Sequence, residues 1–391
     1  NGQVDRSRLT ALQIDEASGE KMDLTSRRLE QVQQALQANS VDCLALIPGA
    51  NLRWLTGLDF GLMERATIFI IPARQEPVLV LPVLEKVKWD SQAAFPARVF
   101  AWEDAKGPQD AARQAVTALP AMESLSVEDL RMRVMEYRLV RQILPDVQIG
   151  QAEDIMAPLR LCKDGDEIVA TRRAVQVCEA ALSEVISGIS PNMTEREVAC
   201  RLSSALLLHG ADSVPGEPQV LSGPRSALPH GGPTERRIAR GDLLLFDFVA
   251  TIEGYYADLT RTFVVGREPD ARQRQIYQAV LDANETGRRS ISPGVACEAV
   301  DKAVRSVIEA AGFGPNFIHR AGHGLGLEVH EGPYLVAGNK MQLASGMVAT
   351  MEPGIYVEGW GGVRIEDDVL VHARGSESLS TFDRELKVIG A

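Results

Sequence analysis

Residues 242–265 read DLLLFDFVATIEGYYADLTRTFVV, and this stretch decides the fold of the C-terminal part of the chain. Residues 242–250 are typical of a buried strand and residues 255–265 of its antiparallel partner. Between them Glu253-Gly254 has the composition of a two-residue hairpin turn. The pattern therefore predicts a β-hairpin with a defined register.

Two acidic side chains share one face of this hairpin. The predicted turn places Asp258 opposite Val249, and the two-residue period of a strand puts Asp247 on the same face. The carboxylates are then diagonal neighbours, about 7–8 Å apart between Cα atoms. Because the strand around Asp247 is otherwise apolar, its charge needs a partner. A metal ion or a buried arginine such as Arg261 would serve, and both alternatives stay open at this point.

Further acids and histidines follow in the second half of the chain. Glu352 ends the strand-like residues 347–351, and Glu366 lies within the strand-like residues 362–371. His323 lies in the segment Gly-His-Gly-Leu-Gly, whose glycines permit close backbone approach. Other histidines in the same part of the chain are His230, His319 and His330.

Four carboxylates with one imidazole suit a pair of divalent cations, because two M²⁺ ions cancel the four negative charges. Oxygen-rich ligation favours Mn²⁺, Co²⁺, Fe²⁺ or Zn²⁺ over a sulfur-ligated zinc, and two such ions are typical of two-metal hydrolases. The sequence contains no H-E-x-x-H, G-x-S-x-G or Walker A motif, which argues against those competing chemistries.

Composition narrows the class of protein further. The 391 residues carry a net charge of -12, so we expect no nucleic-acid partner. No apolar run approaches the roughly 20 residues of a membrane span, and residues 1–20 lack the apolar core of a signal peptide. The five scattered cysteines fit buried thiols in a reducing compartment, which predicts a cytoplasmic protein without a membrane association.

We expect three segments along the chain: an extension or tag remnant at 1–20, an N-terminal α/β domain at 21–157, and a second domain at 158–391. In the second domain a helix-helix-strand order occurs twice. Residues 189–191 and 291–293 both read Ile-Ser-Pro, and each is followed by a helix that a glycine ends, at Gly210 and Gly312. Two related α-α-β halves would place a site between two sheets.

Six segments resemble the creatinase, prolidase and methionine aminopeptidase superfamily, which has the α+β pita-bread fold. They lie at 228–231, 247–262, 322–326, 330–333, 351–354 and 364–367. The N-terminal α/β domain resembles the creatinase-like domain of prolidase and aminopeptidase P. This resemblance implies a pita-bread catalytic domain with pseudo-twofold α-α-β halves, a homodimer, and a two-metal exopeptidase that hydrolyses the Xaa-Pro bond of small proline-containing peptides through a metal-bridging hydroxide.

The resemblance also implies a ligand set for two divalent ions, with Mn²⁺ expected first and Co²⁺, Zn²⁺ or Fe²⁺ as alternatives. The implied metal ligands are Asp247, Asp258, His323, Glu352 and Glu366. Asp247 would bind one ion and His323 the other, while Asp258 and Glu366 would bridge both. Glu352 would bind the second ion and handle the proton of the hydroxide.

Further roles follow from the same resemblance. The implied catalytic side chains are His230, His330 and Glu352, the two histidines holding the scissile carbonyl and the tetrahedral intermediate. The implied substrate-side residues are His319, Arg364 and Tyr356. The chain departs from the family at Val249, where glycine is usual, and this side chain is expected to narrow the pocket.

Two other classes of function remain alternatives at the level of the sequence. One is a creatinase-like hydrolase or a lyase on the same scaffold, although creatinases lack the metal ligands. The other is a non-catalytic pita-bread binding module, which the intact ligand set disfavours. The sequence leaves open whether substrates are dipeptides alone or longer peptides.

Overall fold

A computed structural model describes residues 24–390, which divide into two compact units with the boundary between Ala152 and Glu153. Expectations for residues 1–20 lie outside the described residues. The predicted combination of an α/β fold with an α+β fold is confirmed. Within the described part of the chain, no helix combines the length and the apolar character that crossing a bilayer requires.

The first unit is a six-stranded mixed sheet with helices, in the strand order β4-β3-β2-β1-β5-β6. Strands β1 to β3 are short apolar runs buried along their whole length, as expected for a sheet covered on both faces. The elements are α1 (Leu24–Ala38), β1 (Cys43–Leu46), α2 (Ala50–Thr56), β2 (Ile68–Pro72), β3 (Val78–Pro82), α3 (Val83–Gln92), β4 (Arg98–Trp102), α4 (Gln109–Thr117), β5 (Ser124–Val127), α5 (Val134–Ile143) and β6 (Gln148–Gln151).

The second unit contains the helix-helix-strand order twice. Its elements are α6 (Glu153–Leu161), α7 (Gly165–Ser187), α8 (Glu195–Leu208), β7 (Gln219–Ser222), β8 (Leu243–Ile252), β9 (Tyr255–Val265), α9 (Ala271–Ser290), α10 (Cys297–Ala310), β10 (Gly322–Gly324), β11 (Glu331–Leu335), β12 (Val348–Met351), β13 (Gly354–Val357), β14 (Gly361–Arg364), β15 (Asp367–His372), β16 (Gly375–Ser378) and β17 (Val388–Ile389).

Local sequence accounts for the helix boundaries in both halves. A capping box is present at the start of α8, where the Thr194 hydroxyl accepts from the Glu197 amide and the Glu197 carboxylate accepts from the Thr194 amide. Gly210 and Gly312 follow α8 and α10 with φ of 103° and 86°. Glycine adopts this left-handed backbone without a Cβ clash, so it ends each helix at low cost.

Each half packs its helix pair against its own sheet. Helices α7 and α8 cover a four-stranded sheet of order β17-β9-β8-β7, and α9 and α10 cover a five-stranded sheet of order β11-β10-β12-β15-β16. An isolated bridge pairs Thr260 of β9 with Glu366, which directly precedes β15. The two sheets therefore approach each other where the predicted acidic residues lie.

Candidate active site

The first hairpin has the predicted register. Ile252 faces Tyr255 across the turn, and Val249 faces Asp258. Glu253 and Gly254 have φ of 54° and 83°, the left-handed pair of a two-residue turn that matches the twist of the strands. The prediction that Asp258 lies opposite position 249 is confirmed.

The prediction of one continuous strand at residues 362–371 is wrong. The break between the two observed strands positions Glu366 in the site. The structure ends β14 at Arg364 and begins β15 at Asp367. Between them the Glu366 amide donates to the carbonyl of Thr260 (3.1 Å), and Oγ1 of Thr260 donates to Oε2 of Glu366 (2.6 Å). This break turns Glu366 toward the sheet that carries Asp258.

His323 lies in β10, and the backbone around the two flanking glycines leaves no room for a side chain at either position. A Cβ on Gly324 would lie 2.0 Å from the carbonyl oxygen of Gly332, far inside van der Waals contact. The His323 imidazole is buried, with Nε2 3.4 Å from Oε1 of Glu352 and 3.9 Å from Oδ2 of Asp258. His323 thus reaches the acidic groups of both sheets.

One cavity of about 480 Å³ collects these groups. Nine of the predicted site residues line it: His230, Asp247, Asp258, His319, His323, His330, Glu352, Arg364 and Glu366. Tyr356 does not line the cavity but lies behind it, accepting from Nη1 of Arg364 at 2.6 Å. Val249 lines the cavity as expected.

The carboxylates crowd one another in a buried environment. Burial, and then the charge of Asp247, raise the pKa of Asp258 well above its usual range. Burial, and then the charge of Asp258, do the same for Glu366. Burial raises the pKa of Glu352 to about 7, although Arg364 opposes the shift. An electropositive partner would reverse all three effects.

The donor set fits a divalent cation. Asp258, His323 and Glu366 each offer one ligand atom, and these atoms lie within 4.8 Å of one another. Oδ1 of Asp258 is buried and has no hydrogen-bond partner among residues 24–390, which leaves an oxygen available for a metal ion. Carboxylate oxygens with one imidazole are ligands typical of first-row divalent ions.

The environment of His323 favours its neutral ring. Burial, and then the neighbouring His330, lower the pKa of His323 to about 3. His323 Nδ1 lies 3.1 Å from the carbonyl oxygen of Gly324. A neutral ring that donates from Nδ1 to this carbonyl keeps the lone pair on Nε2, the nitrogen that faces the carboxylates.

A second neutral histidine belongs to a polar chain along the cavity wall. Burial, and then Arg364, lower the pKa of His319 to about 4. Its Nδ1 donates to the carbonyl of Arg320 (2.8 Å), so Nε2 accepts from the hydroxyl of Tyr356 (2.9 Å). The chain runs from Arg364 through Tyr356 and His319 to the backbone of Arg320.

The charge partner of Asp247 among the protein side chains is an arginine, but not the one nearest in sequence. Nη2 of Arg364 donates to Oδ2 of Asp247, whereas Arg261 pairs with Asp367 at 2.7 Å. Gln219 also donates to Oδ2 of Asp247, at 2.7 Å. An arginine therefore does pair with Asp247, but it is Arg364 and not the expected Arg261.

Two polar residues of the cavity were not predicted. Gln219 faces Asp247 across the β7–β8 ladder. The sequence could have indicated Gln219 only if the pairing of β7 with β8 had been known. Arg320 lines the cavity directly after His319, and its position between two predicted site histidines is the signal that could have singled it out.

Comparison with known proteins supplies the class. Residues 169–373 match the model of metallopeptidase family M24, and residues 28–162 match that of the creatinase/prolidase N-terminal domain. The chain belongs to metallopeptidase family M24, and it is a metallopeptidase of the two-domain prolidase architecture.

Three relatives illustrate the similarity. The Xaa-Pro dipeptidase of Pyrococcus horikoshii is 31% identical over 368 residues, covering 93% of this chain and 100% of the relative. The crystal structure of recombinant prolidase from Thermococcus sibiricus is 35% identical with a TM-score of 0.89, covering 94% and 100%. The X-Pro aminopeptidase of Thermotoga maritima is 30% identical with a TM-score of 0.81, covering 92% and 99%. The similarity extends over both units of the chain.

Proposed function

We propose that this metallopeptidase is a two-metal exopeptidase that hydrolyses the Xaa-Pro bond of dipeptides or short peptides. The observation that carries the proposal is the convergence of Asp258, His323 and Glu366, with ligand atoms within 4.8 Å of one another. The similarity to proteins named Xaa-Pro dipeptidase and prolidase supports the choice of substrate.

Five side chains would hold the two ions: Asp247, Asp258, His323, Glu352 and Glu366. Asp247 would hold one ion and His323 with Glu352 the other, while Asp258 and Glu366 would contribute to holding both. Bound divalent ions supply Lewis acidity and lower the pKa of water. The buried Asp258 oxygen without a partner in the described chain supports the role of Asp258 as a ligand.

Glu352 is the proposed proton carrier. Its pKa of about 7 lies near neutral pH in the ion-free protein, and bound cations would favour the carboxylate form. Glu352 then takes a proton from the attacking water and returns it to the proline nitrogen as the Xaa-Pro bond breaks. The proton gained equals the proton released, so the side chain is restored.

His230 and His330 are the proposed groups that orient the scissile carbonyl. Burial, and then Arg320, lower the pKa of His330, which favours a neutral ring that donates one hydrogen bond to an oxyanion. The loop of His230 is held on both sides. Gly231 donates to Oε1 of Gln219 (2.9 Å), and Arg364 donates to the carbonyl of Pro229 (3.5 Å).

Finer properties belong to the same proposal. Mn²⁺ is the proposed ion, and the cytoplasm the proposed compartment, supported by five free cysteines in a pattern that suits a reducing environment.

A homodimer is proposed because α3 exposes apolar side chains, including Leu84 at 66% and Val87 at 73%, which suit an interface. Light scattering on wild type and Val87→Lys tests the dimer.

Hydrolysis of Ala-Pro, Ala-Pro-Ala and Ala-Ala tests the function, using protein reloaded with Mn²⁺ and a chelator-treated sample. We expect Mn²⁺-dependent cleavage of at least one proline peptide and none of Ala-Ala. Asp258→Asn should lose both activity and bound Mn²⁺, measured by elemental analysis after dialysis. Bound metal without cleavage of any Xaa-Pro peptide would contradict the proposal and favour a different reaction on this scaffold.

A further inference from the structure

A buried carboxylate lies at the start of α8 and does not line the cavity. It belongs to Glu195, the first residue of the helix, and its side chain is withdrawn from solvent, at 0% exposure. A buried carboxylate is unfavourable unless hydrogen bonds satisfy both of its oxygens. The partners of Glu195 therefore show what this side chain holds together.

Glu195 accepts five hydrogen bonds from three residues. Its Oε1 accepts from the amide and the hydroxyl of Ser222, each at 2.8 Å. Its Oε2 accepts from the amide (3.0 Å) and the hydroxyl (2.8 Å) of Thr234, and from Nε of Arg225 (2.9 Å). One carboxylate therefore holds both ends of the chain segment between Ser222 and Thr234.

The segment between these two ends, residues 223–233, presents His230 to the cavity, and we call it the His230 loop. The arginine that Glu195 holds also reaches the middle of this loop. Nη2 of Arg225 donates to the carbonyl of Gly232 at 2.6 Å. The carboxylate of Glu195 is thus connected, through one side chain, to the backbone close to His230.

Helix α8 does not need the Glu195 side chain for its cap. The capping box consists of Thr194 and Glu197, whose side chains and amides satisfy each other. The Glu195 carboxylate takes part in none of those hydrogen bonds and accepts from the two ends of the His230 loop instead. A local role in starting the helix therefore does not account for its five donors.

We propose that Glu195 is a positioning residue for His230: its carboxylate fixes both ends of the His230 loop and so keeps the imidazole where it would orient the scissile carbonyl. The inference rests on the proposed function and adds to it a residue from outside the cavity. A loop that is held before substrate binds has less freedom to lose on binding. A misplaced catalytic group lowers the rate even when the metal ligands are intact.

The charge of Glu195 matters for this role. Hydrogen bonds to a charged acceptor are about twice as strong as those between neutral groups. An ionised carboxylate accepts at both oxygens, whereas an amide of the same shape accepts at one atom and donates from the other. Glu195→Gln therefore keeps the size of the side chain and loses the hydrogen bonds to one end of the His230 loop.

The kinetics of Glu195→Gln on Ala-Pro with Mn²⁺ test the inference. We expect kcat to fall about 10–100-fold, as for a small displacement of a catalytic group, with KM changed less than about threefold. Bound Mn²⁺, measured by elemental analysis, should equal that of wild type. The matched control is Glu235→Gln, which removes an exposed pair with Arg196, at 76% side-chain exposure for Glu235, and should behave like wild type.

A double-mutant cycle separates the positioning of His230 from general support of the fold. In a His230→Ala background the imidazole is gone, so adding Glu195→Gln should lower kcat less than about twofold further. The same factor of loss in both backgrounds would mean that Glu195 acts elsewhere, and it would overturn the inference. An unchanged kcat in Glu195→Gln alone would overturn it as well.

Thr234 offers a milder pair of variants, which decides the matter if Glu195→Gln does not fold. Thr234→Val removes the hydroxyl that donates to Glu195, and Thr234→Ser keeps it. We expect Thr234→Val to lower kcat by a smaller factor than Glu195→Gln, and Thr234→Ser to stay close to wild type. Equal kcat values for the two Thr234 variants would contradict the proposed role.

Hydrogen exchange of the His230 loop gives a readout that needs no activity. Faster exchange confined to residues 223–233 in Glu195→Gln or Thr234→Val supports the role of Glu195, and unchanged exchange overturns it. A wild-type protein that cleaves no Xaa-Pro peptide would reject the proposed function instead. The exchange experiment then still decides whether Glu195 holds the loop.

Discussion

Nη2 of Arg261 lies 2.7 Å from Oδ1 of Asp367, and both side chains are withdrawn from solvent, at 1% and 0% exposure. Arg261 belongs to β9 and Asp367 begins β15, so the pair joins the two sheets. Arg261 also donates to the carbonyl of Glu366 at 2.6 Å. The same guanidinium therefore fixes the backbone of a proposed metal ligand.

Replacing Arg261 should be strongly destabilising. Arg261→Met removes the donor to Oδ1 of Asp367 and to several buried carbonyls, and Arg384 pairs only with the other oxygen, Oδ2, at 2.7 Å. We expect a loss of about 3–5 kcal/mol in the free energy of unfolding, measured by urea denaturation. Arg274→Met, which removes an exposed pair with Glu268, should cost less than about 1 kcal/mol. Equal effects of the two substitutions would contradict the structural role of Arg261.

Gly324 should tolerate no side chain. In Gly324→Ala the new Cβ would lie 2.0 Å from the carbonyl oxygen of Gly332, so β10 must move and take His323 with it. We expect about 1–3 kcal/mol of destabilisation together with reduced Mn²⁺ binding in equilibrium dialysis. Gly165→Ala is the control, because a Cβ at the start of α7 meets no atom within 4 Å. Full Mn²⁺ binding by Gly324→Ala would refute this account of the glycine.

Gln219 should matter for catalysis through the groups it holds. It donates to Oδ2 of Asp247 (2.7 Å) and accepts from the amide of Gly231 (2.9 Å), next to His230. Gln219→Leu removes both hydrogen bonds and should lower activity or metal affinity about 10–100-fold, as for groups that orient a metal ligand. The control Gln278→Leu removes only an exposed bond to Asp282. Unchanged kinetics and Mn²⁺ affinity in Gln219→Leu would exclude this positioning role.

Glu377 should make stability depend on pH in acid. Its hydrogen bond with Arg172 (2.7 Å), assisted by His372 (2.6 Å), lowers the pKa of the carboxyl from 4.5 to about 2. Because the folded pKa is the lower one, the contribution is present above pH 4.5 and disappears as pH falls toward 2. The difference in unfolding free energy between wild type and Glu377→Gln should therefore shrink over this interval.

The partner of Glu377 provides the control for the pH experiment. In an Arg172→Met background the principal cause of the lowered pKa is gone. Adding Glu377→Gln to that background should then change the pH dependence of stability much less than it does in wild type. A shift of the same size in both backgrounds would show that Arg172 is not the cause.

Local rules were sufficient to predict the hairpin and the capped helices. The strand period and the turn at Glu253-Gly254 act between neighbours in sequence, so they specified that Asp258 faces Val249. The capping box at Thr194 is equally local. In the first unit the predicted combination of helices and strands is present. Helix α3 keeps Val83, Leu84 and Val87 exposed, so its apolar residues do not mark a buried face.

Features that depend on contacts between the halves could not be predicted. The break between β14 and β15 is caused by pairing of Glu366 with Thr260, from residues far apart in sequence. Residues 362–371 carry the composition of one strand, and no local signal marks the break. The preference of Asp247 for Arg364 over Arg261 has the same origin, because it depends on where β14 packs against β8.

The Thr260–Glu366 bridge has a consequence for how the second unit holds together. Asp258 and Glu366 come from opposite sheets, so an ion bound by both would link the two halves. The binding free energy of the ion would then add to the free energy of unfolding of the second unit. Neither half alone contains both oxygens. Melting temperature should therefore rise with the logarithm of free Mn²⁺ above the dissociation constant, and a thermal scan would report assembly of the two halves without any substrate.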